Sequence, residues 1–149
     1  MTEASAQEIR ITRVFDAPRE LVWKAWTEPE QLAEWWGPPG WSTPLDSITM
    51  DVRPGGAFRL TGISEDGTEM PQDGVYREVV EPERLVFEES AENNWHEGAV
   101  SVVTFTDLGD GRTEMVSHMT IHTTAEMRER AEAGVSGSID RLAQHLEAR

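Results

Sequence analysis

The sequence predicts an α+β fold: a curved antiparallel sheet of about six to seven strands wrapped around a long C-terminal helix, with two short helices after the first strand. Three observations predict it. Between residues 47 and 122, apolar residues recur at every second position in short runs separated by turn signals. From residue 123 onward the apolar spacing changes to three or four and holds to the end of the chain. Each strand then has an apolar face needing cover, and the last helix carries the one large apolar stripe left to cover it.

The elements follow in order. In "EIRITRVF" (8–15), Ile9, Ile11 and Phe15 alternate as in a strand. Asp16 and Pro18 suit a helix start, and "RELVWKAW" (19–26) places Val22, Ala25 and Trp26 at helical spacing. Thr27 with Glu30 resembles a capping box and opens a second short helix, "PEQLAEWW", which stops at Gly37-Pro38. "SITMDV" alternates Ile48, Met50 and Val52 as a strand, and "RPGG" (53–56) turns the chain. "AFRLTGI" (57–63), "GVYREVV" (74–80) and "RLVFEES" (84–90) are strands joined by "EDG" (65–67) and "EPE" (81–83). After a polar loop at 92–98, two long strands (99–108 and 112–122) flank "GDG", a strong hairpin signal. Thr123 and Glu126 form a second capping box. Met127, Ala131, Val135, Ile139, Leu142 and Leu146 then define one stripe of a helix running to the C-terminus. Gly134 and Gly137 interrupt that helix; they mark either a close approach or a kink.

The chain's 149 residues suit a single domain, with residues 1–7 a flexible N-terminus. There is no cysteine, which removes disulfides, thiolate metal sites and cysteine nucleophiles. Residues 1–8 lack the basic and apolar regions of a signal peptide, and no apolar run approaches the roughly 20 residues that span a bilayer. A cytoplasmic protein without membrane insertion is the expectation. Thirteen basic residues against 28 acidic ones leave a net charge of −15, which repels a phosphate backbone, so nucleic acid is not an expected partner.

The stretch "AEWWGPPGWST" (33–43) gathers Trp35, Trp36 and Trp41 around a Gly/Pro turn. Trp35 or Trp36 is expected to plug the sheet, and Trp41 is a candidate for a ligand-facing rim. Trp95 is a candidate lid or loop anchor. An audit for catalysis finds little. His118 and His122 share a strand face with Glu114, Val116 and Thr120, which is expected to meet solvent, and a third metal ligand is missing. "GVSGS" (134–138) is helical and lacks the context of a nucleophile elbow. Glu78 and Glu89 fall near positions that would give a general acid or base if they faced inward, though an outward carboxylate is the commoner case. Arg13 and Tyr76 are candidate cavity donors. No catalytic residue, metal or cofactor is assigned.

Four stretches together resemble the SRPBCC superfamily, of helix-grip fold, and within it the AHSA1-like group named after the activator of Hsp90 ATPase. They are "FDAPRELVWKAWTEPEQLAEWWGP" (15–38), "DVRPGGAFRL" (51–60), "GVYREVVEPERLVF" (74–87) and "DGRTEM…AGVSGSIDRLAQHL" (110–146). The resemblance implies a cavity between the sheet and the C-terminal helix. It implies a small apolar or aromatic ligand, a polyketide cyclase or aromatase activity in some members, and chaperone binding with a part in stress response in others. A homodimer is a further candidate. Strand alternation, the Trp turn and the helix stripe then mark the expected ligand-binding residues. They are Trp36, Trp41, Met50, Phe58, Leu60, Tyr76, Phe87, Val103, Phe105, Met115, Ser117, Met119, Met127, Ala131 and Val135. Packing is the commoner role for any one of them.

Overall fold

The computed structural model describes residues 4–90 and 98–148. A strand β1 (Ser5–Phe15) leads into helices α1 (Arg19–Thr27) and α2 (Pro29–Trp35). Two short strands follow, β2 (Trp41–Ser42) and β3 (Thr49–Met50), with a single 3-10 turn at Leu45–Ser47 between them. Then come β4 (Ala57–Ser64), β5 (Glu69–Val80), β6 (Arg84–Glu89), β7 (Ala99–Asp107) and β8 (Thr113–Thr123), and last the helix α3 (Ala125–Glu147). The strands form one antiparallel sheet in the order β1-β8-β7-β6-β5-β4-β2, with β3 also on β4. Eight strands stand where six to seven are expected, because β2 and β3 are two-residue edge segments. The expected strand at 48–52 shrinks to Thr49–Met50, yet Ile48, Met50 and Val52 all pack against the core, so the alternation reports burial correctly.

The chain's start departs from expectation. Ser5, Ala6 and Gln7, expected to be flexible, pair with Thr123, His122 and Ile121 of β8. That pairing also displaces the expected cap of α3. Thr123 is buried as the last residue of β8, so Thr124 takes the N-cap and its hydroxyl accepts from the Met127 N–H at 3.1 Å. The box at Thr27 and Glu30 does not form either. Thr27 ends α1 and donates its hydroxyl to the Trp23 carbonyl at 2.9 Å, while Glu28 begins α2 with no side-chain cap.

The helix α3 does two jobs along its length. Its C-terminal half buries Ile139, Leu142 and Leu146 with Val22, Trp23 and Trp26 of α1 and Leu32 and Trp35 of α2, over Leu85, Val103, Phe105 and Met115 of the sheet. Its N-terminal half carries Met127, Ala131 and Val135, which are only half-buried, and roofs open space instead of core.

The turn after α2 is fastened to this helix. Gly37 and Gly40 have φ of 104° and 91°, which side-chain-bearing residues rarely adopt. Ser138 donates to the Trp35 carbonyl and accepts from the Gly37 N–H, both at 3.1 Å. Arg141 donates to the carbonyls of Gly37 at 2.8 Å and Trp41 at 3.1 Å, charge-assisted bonds that tie the loop's backbone to the helix. The two helix glycines complete the seat: Gly134 faces Pro38, and Gly137 faces Pro39. Close approach, and not a kink, is their role; α3 runs unbroken from Ala125 to Glu147.

Candidate functional site

Between the N-terminal half of α3, the tryptophan turn and the sheet lies a cleft of about 380 Å³. Trp36, Trp41, Phe87, Ser117, Met119, Met127, Ala131 and Val135, all expected ligand-binding residues, line it. Met127, Ala131 and Val135 come from one helix stripe, and Ser117 and Met119 from one face of β8, so two periodicities meet across the gap. Thioether side chains at Met70, Met119 and Met127 give the wall shape tolerance.

The tryptophans divide their duties. Trp35 is the plug: 1% exposed, it donates its indole N–H to the Ala25 carbonyl at 2.9 Å and packs edge-on to Trp26 with centroids 4.8 Å apart. Trp36 is half-buried and lines the cleft beside Phe87, ring centroids 6.5 Å apart. Trp41 forms the rim, over Gly62; a Cβ at Gly62 would meet the Trp41 ring at 3.5 Å. Trp95, His96 and Glu97 lie outside the described residues.

Met50, Phe58, Leu60 and Tyr76 do not reach the main cleft. With Trp26, Trp36 and Phe87 they surround a separate void of about 20 Å³, space for one water at most. Burial pushes the Tyr76 phenol well above its ordinary pKa. Val103, Phe105 and Met115 line neither space. They are at most 2% exposed, and Phe105 is covered by Trp23 at 5.8 Å and Trp26 at 6.3 Å. Alternation identifies the inward face of β7 and β8; it does not say which stretch of that face α1 and α2 cover.

The titratable candidates also separate. Glu78 is exposed and bonded to Arg84 at 3.2 Å. A β-bulge between Tyr76 and Glu78 breaks the alternation, so Glu78 faces outward and Val79 turns inward in its place. Glu89 reverses its expected outward placement: it is 8% exposed and lines the cleft, because it shares the inward face of β6 with Leu85 and Phe87. Arg13 donates to Asp140 of α3 at 2.8 Å instead of entering the cleft. His118 meets Glu8 across the β1–β8 pair at 2.9 Å.

Sequence reading missed several liners: Pro38, Thr43, Gly62, Met70, Gln72, Ser101, Arg130 and Ser138. Ser101 was recoverable, since it shares the face of Val103 and Phe105 on β7. Met70 and Gln72 were hidden, because β5 begins at Glu69 and not at residue 74. No helix among the described residues is long and apolar enough to cross a membrane.

Comparison with known proteins agrees with this architecture. No relative was found among the curated proteins. Among solved structures, a Nitrosomonas europaea protein is 27% identical, with a TM-score of 0.79 over 95% of this chain and 94% of that one. A Chromobacterium violaceum protein is 26% identical, with a TM-score of 0.81 over 94% and 96%. The AHSA1 protein from Silicibacter pomeroyi, 20% identical, shares the fold with a TM-score of 0.83 over 95% and 99%. The family model described as "Activator of Hsp90 ATPase homolog 1-like protein" matches residues 16–147. With a curved sheet, two short helices after its first strand and a long C-terminal helix closing a cleft, the chain belongs to the AHSA1-like family of SRPBCC-type fold.

Proposed function

We propose that this chain is a non-catalytic binding domain for a small apolar or aromatic molecule, held under the N-terminal half of α3. The cleft carries this reading: its volume of about 380 Å³ falls within the roughly 300–1,000 Å³ of small-molecule sites, and its wall is mostly apolar. Trp36, Trp41, Phe87, Met119 and Met127 supply contact area, and Ala131, Gly134 and Val135 keep the roof thin enough to leave the space open. A collapsed interior would instead have favoured a surface-binding protein. Native mass spectrometry of protein purified without denaturation is expected to show a co-purified mass that is lost on organic extraction. An empty protein whose tryptophan emission also ignores a panel of apolar aromatics would remove this function.

A catalytic reading of the cyclase or aromatase kind has one observation in its favour, the buried Glu89 on the cleft wall. Turnover of a cleft ligand that is abolished by Glu89→Gln, with binding retained, would establish it. The family's description also names the Hsp90 ATPase, so a chaperone partner in a cytoplasmic stress response is the third reading. Stimulation of a purified Hsp90 ATPase would establish that one.

A further inference from the structure

Two apolar spaces share one partition. Trp26, Trp36 and Phe87 line both the cleft and the void of about 20 Å³. Beyond the partition, Met50 of β3, Phe58 and Leu60 of β4 and Tyr76 of β5 line the void alone. The three rings of the partition are not equally held. Trp26 and Phe87 are each 6% exposed and locked among other rings. Trp26 lies 4.8 Å from Trp35 and 6.3 Å from Phe105, and Phe87 stands edge-on to Phe58 at 5.7 Å. Trp36 is only half-buried. Its indole N–H donates to no described residue, whereas that of Trp35 is held by the Ala25 carbonyl. Turning the Trp36 ring therefore breaks no hydrogen bond to a described residue.

The backbone beneath that ring is fixed. The Trp36 main-chain N–H donates to the Leu32 carbonyl at 3.0 Å. The Trp36 carbonyl accepts from the Thr43 hydroxyl at 3.0 Å and from Arg141 at 3.4 Å. The turn is thereby tied down, and the freedom that remains belongs to the Trp36 side chain, which has discrete staggered alternatives at χ1. Such a change gives up ring contacts with Trp35, Trp26 and Phe87, at centroid distances of 5.6, 6.1 and 6.5 Å. A ligand lying in the vacated place would restore apolar contact with the same rings.

We propose, resting on the binding function above, that Trp36 is a side-chain gate that sets how deep a ligand reaches. With its ring in place, the cleft ends at the ring. With the ring turned aside, the cleft runs on into an inner subsite walled by Met50, Phe58, Leu60 and Tyr76. That subsite takes the end of an elongated apolar molecule, because the Tyr76 hydroxyl is the one polar side-chain group beyond the partition. Short ligands leave the gate closed and use Trp36 as a wall. Long ligands displace it, and their affinity is reduced by the fraction of protein in which the gate is open. Removing the ring removes that reduction. Short and long ligands therefore respond in opposite senses to loss of Trp36: the first lose a wall, and the second gain a subsite.

Naphthalene and biphenyl, a short and a long probe of one chemistry, test this when titrated into the protein and followed by NMR of the methionine methyls and the Tyr76 ring. Tyr76 is the chain's one tyrosine, so its ring signals report the inner subsite without ambiguity. In the parent, naphthalene is expected to shift the methyls of Met119 and Met127 and leave Met50 and Tyr76 in place. Biphenyl is expected to shift all four. Trp36→Ala is expected to raise the ratio of biphenyl to naphthalene affinity by about tenfold. Trp36→Phe, which keeps a smaller ring at the site and guards against an alanine variant that does not fold, is expected to raise the ratio by less. A ratio unchanged in the folded variants, or biphenyl that leaves Met50 and Tyr76 unshifted in parent and variants alike, would overturn the gate and leave the binding function standing. No binding of either probe to any of the three proteins would overturn both.

Discussion

Gly137 of α3 lies against Pro39 of the tryptophan turn so closely that a Cβ on the glycine would stand 2.6 Å from the proline Cδ. One turn earlier, a Cβ on Gly134 would lie 3.8 Å from Pro38, an ordinary contact. The two glycines look alike in sequence and are unlike in their demands.

Their substitution by alanine separates the two effects. Alanine improves helix propensity by about 1 kcal/mol. At Gly137 overpacking outweighs that gain, and Gly137→Ala is expected to destabilise by about 1–3 kcal/mol in urea unfolding. Gly134→Ala is expected to be neutral or mildly stabilising. Equal midpoints for the two variants would show that the proline loop yields freely and that the close approach carries no strain.

Leu142 is fully buried in the cluster formed by α3, α1 and α2 over the sheet. Leu142→Ala is expected to cost about 2–5 kcal/mol through lost burial and the cavity left behind. Thermal and urea midpoints matching those of the parent would contradict the inward placement of this helix face.

Trp41 stands at the rim, half-buried, over Gly62. Trp41→Ala is expected to weaken binding of an apolar aromatic such as naphthalene by fivefold or more, with unfolding shifted by under about 1 kcal/mol, because little core is lost. Unchanged affinity would take Trp41 out of the binding wall.

Tyr76 is the chain's one tyrosine, so phenolate absorbance near 295 nm reports it alone. Burial raises its pKa above the ordinary 10.0. The neutral phenol is therefore favoured by folding. Stability linked to it is intact below pH 10 and declines above, where the unfolded chain ionises and the folded one does not. Phenolate is expected to appear near pH 10 in denaturant, and in native protein only as unfolding sets in. A native titration near pH 10, with the fold intact by circular dichroism, would contradict the burial.

Local pattern carried much of the architecture. The six long strands, both short helices and the inward stripe of α3 were legible because alternation of two and spacing of three to four reflect which face is buried. The register of β5 was not: the bulge after Tyr76 shifts pairing by one residue and reverses every side chain beyond it, which is what sends Glu78 outward. Nor were the caps, since Thr123 was claimed by pairing with Ser5 at the far end of the chain.

The order of elements, the faces they bury and the family were settled by the sequence, because periodicity and turn chemistry act over a few residues. Whether an inward residue meets core or cleft was settled by the tertiary structure. Met115 and Ser117 are neighbours on one face of β8, yet the first is sealed beneath the helices and the second borders the cleft. Gln72, Glu89, Ser101 and Ser117 likewise meet on the cleft wall only through pairing of four strands distant in sequence. A single strand records which way a side chain points, and only packing records what stands opposite.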